Sequence, residues 1–249
     1  MNDSREIESP ATPPDGFAAS CERIGVALEP STVQAIGRYL ALLLDANRRT
    51  NLTAVRDAAT AWERHALDSL SVLPFLGTPH TLIDVGTGGG LPGIPIAIAR
   101  PEIEVTLLEA TGKKADFCEH AARELGLDNV RVLRGRAEEL GRDPAHREAY
   151  DVATARAVAA LPVLLELMMP FVRPGGAALA MKGARSDEEL DAATYAVRVL
   201  GGSPARCEAR LPGIRDDATM IVVEKAGATP DTYPRRTGIP VKRPLEERS

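Results

Sequence analysis

The sequence predicts a doubly wound α/β protein with a mainly parallel sheet and a helical cap on its N-terminal side. Three observations predict this fold. After residue 80, short apolar runs rich in β-branched residues alternate with helical stretches, as in strands joined by helical crossovers. A glycine-rich loop follows the first of these runs. Before residue 77, apolar side chains recur at helical spacing, which predicts that helices precede the sheet.

The segment before the sheet divides into a tail and a cap. Residues 1–14 combine prolines with polar and acidic residues, which predicts a disordered tail. Residues 15–77 form the predicted helical cap. Within it, Ser31 and Asp57 each precede a run with helical spacing, so each is expected to begin a helix.

Residues 78–226 are expected to form the α/β domain. Its strands are nearly continuous apolar runs, as parallel strands buried on both faces are. The expected strands lie at residues 81–85, 103–108, 129–133, 150–155, 177–181 and 218–224. The expected helices lie at about 92–100, 112–125, 158–172 and 186–200. Residues 174–176, Pro-Gly-Gly, are expected to interrupt regular secondary structure just before the fifth strand.

Composition excludes several classes of protein. The longest aliphatic run, residues 40–44, is far shorter than a membrane span, and the first ten residues do not resemble a secretory signal. No membrane partner is therefore expected. Three cysteines and four histidines lack metal-ligand spacing, so reduced thiols and no metal are expected. The net charge of -5 means that a polyanionic partner requires a local basic patch.

The glycine-rich loop after the first strand is the strongest local signal. Glycines allow a ligand to approach the backbone, and ligands of open α/β sheets bind at this edge. Two interpretations compete. One is a dinucleotide fingerprint, with Glu109 about twenty residues further on; its glycines are Gly88, Gly90 and Gly93. In the other, Asp-x-Gly-x-Gly-x-Gly at residues 84–90, with an acid closing the second strand, resembles the S-adenosylmethionine loop of Rossmann-like methyltransferases. This interpretation is favoured because Asp84, at the end of the strand, can orient the loop amides and face the charged methionine end.

Two further turns belong to the same edge of the expected sheet. Glu109 closes the second strand and can accept hydrogen bonds from ribose hydroxyls. After the third strand, the amide of Ala137 and the side chain of Glu138 are placed to bracket an adenine ring. Taken alone, this second turn is better explained as the start of a helix whose acidic residues favour the helix dipole. Following the Asp84 loop, the cofactor interpretation is preferred.

Cationic residues mark the expected substrate side. Arg156 follows the fourth strand, where an arginine can donate to guanine O6 or to a phosphate, or form a structural ion pair with Asp84 or Glu138. Lys182 closes the fifth strand and is a candidate phosphate ligand. Arg64 and His65 are expected to line the substrate cleft, and a hydrogen bond from His65 to Asp68 is the alternative role for the imidazole. Four residues of the basic arm, residues 227–249, are candidates to follow an RNA backbone: Arg235, Arg236, Lys242 and Arg243. That arm is expected to be a flexible tail or to order on a partner.

Residues 83–117 resemble the ribosomal RNA small subunit methyltransferase G family. The similarity extends to NLTAVRD at 51–57, RHALDSL at 64–70, YDVATARAVAAL at 150–161 and GGAALAMKG at 175–183. It covers about residues 35–225, and residues 233–245 resemble the C-terminal arm of some members. The family implies a Rossmann-like class I methyltransferase fold.

The resemblance also implies an activity and its sites. It implies a bacterial, cytoplasmic enzyme that transfers a methyl group from S-adenosylmethionine to N7 of guanine 527 in 16S ribosomal RNA. Its partner would be 16S ribosomal RNA or the small ribosomal subunit, and a monomer is expected. The implied cofactor positions are Gly86, Leu91, Ala137, Glu138 and Arg156, with Glu109, Ala110 and Thr111 at the ribose. Arg156 and Lys182 are the candidate catalytic residues.

Two alternatives from other functional classes stay open at this point. A Rossmann NAD-dependent oxidoreductase is disfavoured by the placement of the glycine loop and by the lack of a Tyr-x-x-x-Lys pair. A non-catalytic RNA-binding protein of the same fold is disfavoured by the intact loop from Asp84 to Gly90. Binding of S-adenosylmethionine but not NAD is the observation that separates the methyltransferase from both.

Overall fold

The computed structural model describes residues 10–156, 159–183 and 186–246. The cap consists of α1 (Phe17–Arg23), α2 (Pro30–Asn47), α3 (Ala58–Ala61), a π-helical segment (Trp62–Leu67), α4 (Asp68–Leu70) and α5 (Leu73–Leu76). The α/β region consists of β1 (Thr81–Val85), α6 (Gly93–Ala99), β2 (Glu104–Glu109), α7 (Gly112–Leu125), β3 (Val130–Arg134), α8 (Ala137–Leu140), β4 (Tyr150–Arg156), α9 (Leu161–Met168), β5 (Val172–Lys182), α10 (Ser186–Val199), β6 (Arg206–Ala209) and β7 (Thr219–Glu224). A short helix, α11 (Ile239–Lys242), lies in the C-terminal arm.

The strands form one sheet in the order β3-β2-β1-β4-β5-β7-β6. Strands β1 to β5 pair in parallel, whereas β7 is antiparallel to both β5 and β6. The strand order reverses direction between β1 and β4, which is the topological switch point where ligands bind in open α/β sheets. All six expected strands are present. The unexpected β6 is a short edge strand, and its sequence RCEA carries no apolar run because little of it is buried.

The Pro-Gly-Gly segment at 174–176 lies inside β5, so the expected interruption just before the fifth strand is wrong. The register between β4 and β5 shifts at this point, from Tyr150 opposite Val172 to Val152 opposite Ala177. Gly175 has φ +85°, and a side chain on Gly176 would lie 2.3 Å from the carbonyl oxygen of Asp151. The segment therefore forms a bulge, which glycine permits without ending the strand.

Two apolar cores flank the sheet. One joins the cap to the α6 and α7 face, and it contains residues as far apart as Phe17, Trp62 and Leu107. The other lies under α9 and α10. Because the cap shares its core with the sheet, the glycine loop is held from the cap side: the Tyr39 hydroxyl donates a 2.6 Å hydrogen bond to the carbonyl oxygen of Gly89.

The sequence predicts a disordered N-terminal tail and a C-terminal arm that is flexible or orders on a partner. Where the structure describes them, both ends instead contact the rest of the chain. Residues 1–9 and 247–249 lie outside the described residues. Of the predicted tail, the Ala11 amide donates to the carbonyl oxygen of Gly37 in α2 at 3.1 Å. The basic arm packs on its own chain, with Leu245 buried in the second core, because several arm carbonyls are held by arginines of the α/β domain. Within the described residues, none of the helices is long and apolar enough to cross a membrane.

Candidate functional site

The glycine loop runs from the end of β1 into α6 at the switch point. Gly86, Gly88 and Gly90 all have positive φ, and the amides of Gly90 and Leu91 are 3.0 Å from the Thr87 carbonyl oxygen, which makes the loop a compact turn. Gly88 has φ +60° with nothing within 4 Å of the place where a Cβ would stand. The loop therefore exposes bare backbone on one side, as close approach of a ligand requires.

Asp84 lies beneath the loop, fully buried on β1, an interior strand of the sheet. Its Oδ2 accepts hydrogen bonds from the Thr87 hydroxyl at 2.6 Å and from the Gly93 amide at 2.8 Å. Its Oδ1 is buried without a hydrogen-bond partner among the described residues. Burial raises the pKa of Asp84 to about 6, although the bonds from Thr87 and Gly93 oppose the shift. An uncompensated buried carboxylate oxygen fits a ligand that brings a donor or a positive charge.

Glu109 ends β2 beside the same loop. Its Oε2 accepts from the Gly88 amide at 3.0 Å and its Oε1 from the Thr111 amide at 2.7 Å. Ala110 and Thr111 are exposed next to it. The carboxylate therefore joins the glycine loop to the start of α7, and its contact to a ribose stays a prediction.

Ala137 and Glu138 form the first turn of α8, after β3. Glu138 is buried, with 9% of its surface exposed, and its Oε1 accepts a 3.0 Å hydrogen bond from the Gly238 amide of the C-terminal arm. That contact was not expected. The carboxylates of Asp84, Glu109 and Glu138 thus lie at or just after the ends of three neighbouring strands, at the edge where ligands of open α/β sheets bind.

Replacing Glu109 with alanine is expected to weaken S-adenosylmethionine binding by about 10- to 100-fold, because hydrogen bonds to a charged group contribute about 1.5–3 kcal/mol. The fold should stay intact, since the residue lies at the end of a strand. Isothermal calorimetry measures the affinity. Glu104→Ala, at the exposed opposite end of the same strand, is the matched control and should bind normally. Unchanged affinity in Glu109→Ala would mean that the ribose lies elsewhere.

Arg156, at the end of β4, joins a cluster of charges next to the loop. Its guanidinium donates to the Arg64 carbonyl oxygen at 3.0 Å and to Asp68 Oδ2 at 3.2 Å, and 19% of its side chain is exposed. The acid in this ion pair is Asp68, not Asp84 or Glu138 as the sequence analysis considered. Asp68 Oδ1 also accepts from Arg210 and Arg215, at 3.0 and 2.9 Å.

Asp68 is the centre of this cluster, and sequence reasoning missed two of its partners. Burial favours protonation of Asp68, but Arg210, Arg156 and Arg215 together hold its pKa below the usual value. Arg210 and Arg215 follow β6 and carry no motif, so no local signal could have identified them. Arg210 is buried, whereas a third of the Arg215 side chain is exposed. Three cations around one carboxylate leave a positive surface beside the loop.

Lys182 lies at the end of β5 with its ammonium group engaged. Its Nζ donates to the Ala159 carbonyl oxygen at 2.8 Å and lies 2.6 Å from Glu189. Only 9% of its side chain is exposed. A phosphate would therefore have to compete with Glu189 for this lysine, and its role as a phosphate ligand stays a prediction.

His65 is buried with a different partner from the one considered. Its Nε2 is 2.7 Å from the Thr53 hydroxyl, and its Nδ1 is 2.9 Å from the Arg64 carbonyl oxygen. The pairing with Asp68 is wrong, because the π-helical segment turns more widely than an α-helix and separates side chains three residues apart. Burial, and then the positive charge of Arg156, lower the pKa of His65 to about 4. Arg64 itself is exposed.

We expect His65 to stay neutral in the folded protein until the pH falls to about 4. Because its pKa is lower in the folded state than in the unfolded state, protonation favours unfolding, and stability is lost as the pH falls from about 6.5 to 4. Across that window, the wild type should lose about 3 kcal/mol more than His65→Gln. Urea unfolding at several pH values measures the difference. Parallel curves for the two proteins would contradict the assignment.

The basic residues of the arm are not equivalent. The Arg235 guanidinium is bound to fully buried Glu166, with Nε 2.8 Å from Oε1 and Nη2 2.6 Å from Oε2. Arg235 is thus committed to holding the arm in place. The other three of these four basic residues are exposed: Arg236, Lys242 and Arg243. RNA binding by the arm stays a prediction.

The described residues contain no group of three or more histidine, cysteine or acidic side chains placed to hold a metal. Cys118 lies nearest to the loop, with its Sγ 3.5 Å from the Gly88 carbonyl oxygen. Burial strongly raises the pKa of this thiol. It is therefore a packing residue and not an activated nucleophile.

Known proteins resemble this chain along most of its length. A family model, rRNA small subunit methyltransferase G, matches residues 32–213. The ribosomal RNA small subunit methyltransferase G of Moorella thermoacetica is 41% identical over 233 residues, which cover 92% of this chain and 97% of the relative. That of Roseiflexus castenholzii is 45% identical over 223 residues, covering 89% and 95%.

Solved structures share the fold. Cofactor-bound Rv0187 from MTB aligns with a TM-score of 0.57 at 19% identity, covering 87% of this chain and 99% of that one. The O-methyltransferase from Bacillus cereus in complex with SAH aligns with a TM-score of 0.53 at 20% identity, covering 85% and 99%. At these identities the likeness shows the fold alone, and it confirms the predicted Rossmann-like class.

The family match decides between the alternatives left open by the sequence. It confirms the class of S-adenosylmethionine-dependent rRNA methyltransferase, and the interpretation as an NAD-dependent oxidoreductase is set aside. The family model spans residues 32–213, and the relatives named here are 41% and 45% identical over nearly their whole length. The chain belongs to the rRNA small subunit methyltransferase G family.

Proposed function

We propose that this protein transfers a methyl group from S-adenosylmethionine to N7 of guanine 527 in 16S ribosomal RNA of the small subunit. The observation that supports it most is a juxtaposition at one edge of the sheet. The carboxylates of Asp84, Glu109 and Glu138 lie along this edge and support a cofactor site there. The cluster around Asp68 places Arg156 and Arg215 beside that site, where a polyanionic substrate is favoured.

The expected chemistry needs position more than acid–base catalysis. S-adenosylmethionine, when bound, supplies an activated methyl group, and methyl transfer to nitrogen is an in-line displacement. Guanine N7 has a free lone pair and no proton to lose, so no general base is required. The site agrees with this: both ring nitrogens of His65 are engaged, and the Cys118 thiol is buried. Alignment alone can lower the barrier by about 7–11 kcal/mol.

Different residues of the chain would contact different parts of the cofactor and of the RNA. The Asp84 carboxylate and the open backbone at Gly88 would hold the methionine end, and Glu109 the ribose. Arg156, partly exposed and anchored by Asp68, would direct the guanine through O6 or a nearby phosphate. Arg64 and Arg215 lie next to it and would contact the RNA backbone. A local patch of this kind binds RNA even though the chain carries a net charge of -5.

The test is methyl transfer to small subunits that lack the modification. The protein is incubated with labelled S-adenosylmethionine and with intact subunits, assembly intermediates or naked 16S ribosomal RNA, and the new methyl group is mapped. We expect one label at N7 of guanine 527 in at least one of these substrates. A label on another nucleotide would refute the proposed target, and binding without transfer would favour a non-catalytic RNA-binding protein.

A further inference from the structure

The C-terminal arm is held against the α/β domain through its backbone. Arg142 donates to the carbonyl oxygens of Asp231, Thr232 and Pro234 at 2.7–3.2 Å. Arg147 donates to three others, those of Thr229, Pro230 and Tyr233, at 2.6–3.2 Å. Two arginines that bind six carbonyl groups fix the path of the arm independently of its side chains.

The second half of the arm is anchored on both sides of α11. Before α11, Arg235 binds buried Glu166, and this contact includes a backbone bond from the Arg235 amide at 2.8 Å. After α11, the Arg243 carbonyl oxygen accepts from the Arg235 guanidinium at 2.6 Å, and Leu245 is buried. The loop between these anchors is therefore closed by a hydrogen bond across its base, which restricts where residues 236–242 can lie.

This closed loop meets α8 at the acidic turn. The Gly238 amide donates to Glu138 Oε1 at 3.0 Å, and the Thr237 hydroxyl lies 3.2 Å from Glu139 Oε1. Gly238 has φ +79° and nothing within 4 Å of a Cβ position, so its amide reaches Glu138 from an open turn. The other oxygen of Glu138, Oε2, has no protein donor among the described residues, which leaves it able to accept from a ligand.

We infer that residues 236–242 form one side of the cofactor site, where the Gly238 amide positions Glu138 for the purine nucleoside end of the ligand. The inference rests on the proposed role of Glu138 at the adenine. The Gly238 amide fixes one carboxylate oxygen, so the other faces the ligand in a single orientation. The arm is then a part of the cofactor site, and the exposed Arg236 and Lys242 border that site.

The experiment compares two full-length variants at one position. Gly238→Pro removes the amide donor and, because proline cannot adopt a φ of +79°, also displaces the turn that presents it, whereas Gly238→Ala keeps the donor. We expect Gly238→Pro to bind S-adenosylhomocysteine about 10-fold more weakly than Gly238→Ala, with the same loss for 5′-methylthioadenosine, which carries only the nucleoside end. Asp231→Asn, at an exposed arm position outside residues 236–242, keeps the backbone carbonyl that Arg142 holds and should bind within about twofold of the wild type. Equal affinities for the proline and alanine variants would overturn the inference.

A measurement on the unaltered protein covers the case in which a variant does not fold. Trypsin can cut the exposed arm after Arg236 and Lys242. Bound S-adenosylhomocysteine should slow both cleavages at least fivefold, and an unchanged rate would overturn the inference.

Glu138→Ala distinguishes a failure of the proposed cofactor role of Glu138 from a failure of the inferred role of the arm. If it binds the ligand normally, the cofactor role of Glu138 fails. If it binds weakly while the Gly238 variants agree with each other, only the role of the arm fails.

Discussion

Replacing Asp68 with alanine is expected to lower the free energy of unfolding by about 3–5 kcal/mol, because it leaves a buried cation without its counter-charge. Arg210 is 3% exposed and donates to Asp68 Oδ1 at 3.0 Å as well as to the Ser71 hydroxyl at 2.7 Å. Water cannot replace the lost carboxylate at that depth. Urea unfolding near neutral pH measures the loss.

Two further variants test the physical cause. Asp217→Asn removes an exposed carboxylate 3.3 Å from Arg215 and should change stability by less than about 0.5 kcal/mol. Asp68→Ala combined with Arg210→Met removes both buried charges and should recover a large part of the stability. If the double variant were as unstable as the sum of the single ones, a buried unpaired charge would not be the reason.

Asp68→Ala should also impair methyl transfer in the fraction of the protein that remains folded. Arg156 would lose its contact to Asp68 Oδ2 and keep only the Arg64 carbonyl oxygen. Since the proposed role of Arg156 is to position the substrate, a less constrained Arg156 should lower the single-turnover rate by at least about 10-fold. S-adenosylhomocysteine affinity, measured in parallel, distinguishes a positioning defect from loss of the cofactor site.

The sequence predicts those features that depend on local pattern. Strands β1 and β2 are visible in the sequence as short apolar runs. Asp84 and Glu109 are the acidic residues at the C-terminal ends of these runs, so the same local pattern identifies them. Asp57 likewise caps α3 as expected, with its carboxylate 2.9 Å from the Thr60 amide. In each case the residues that decide the structure are neighbours in the chain.

Features that depend on distant pairing could not be predicted in this way. Asp68 meets Arg156, Arg210 and Arg215 across 88, 142 and 147 residues, and no spacing rule connects them. Gly238 reaches Glu138 across 100 residues. The arm looked flexible because it has no apolar period. It is ordered instead by its backbone carbonyl groups, which every sequence has and which therefore leave no signal.

Replacing Asp84 with asparagine is expected to weaken S-adenosylmethionine binding by about 10- to 100-fold while leaving the fold stable. The carboxylate is the buried negative charge beneath the loop, and its Oδ1 has no partner among the described residues. Asparagine can still accept from the Gly93 amide but offers no charge to the methionine end. Affinity for 5′-methylthioadenosine, which lacks that end, should change less than about threefold.

Asp84→Asn should bind the ligand more weakly than the wild type but be more stable at neutral pH. The pKa of Asp84 is raised to about 6, above its ordinary value, so ionisation opposes folding, and the destabilising contribution of Asp84 disappears as the pH falls from about 6 to 4, opposite in sign to the contribution of His65. Asp84→Asn should therefore be the more stable protein at pH 7, by about 1–3 kcal/mol, and lose that advantage near pH 4. Asp128→Asn, an exposed aspartate before β3, is the control and should match the wild type at both pH values. The proposed role of the ionised form is to bind the charged ligand, so wild-type affinity for S-adenosylmethionine should also fall as the pH drops through 6. If both results are obtained, the charge of Asp84 lowers stability at neutral pH and is needed for binding at that pH. The charge is then explained by the ligand and not by the fold.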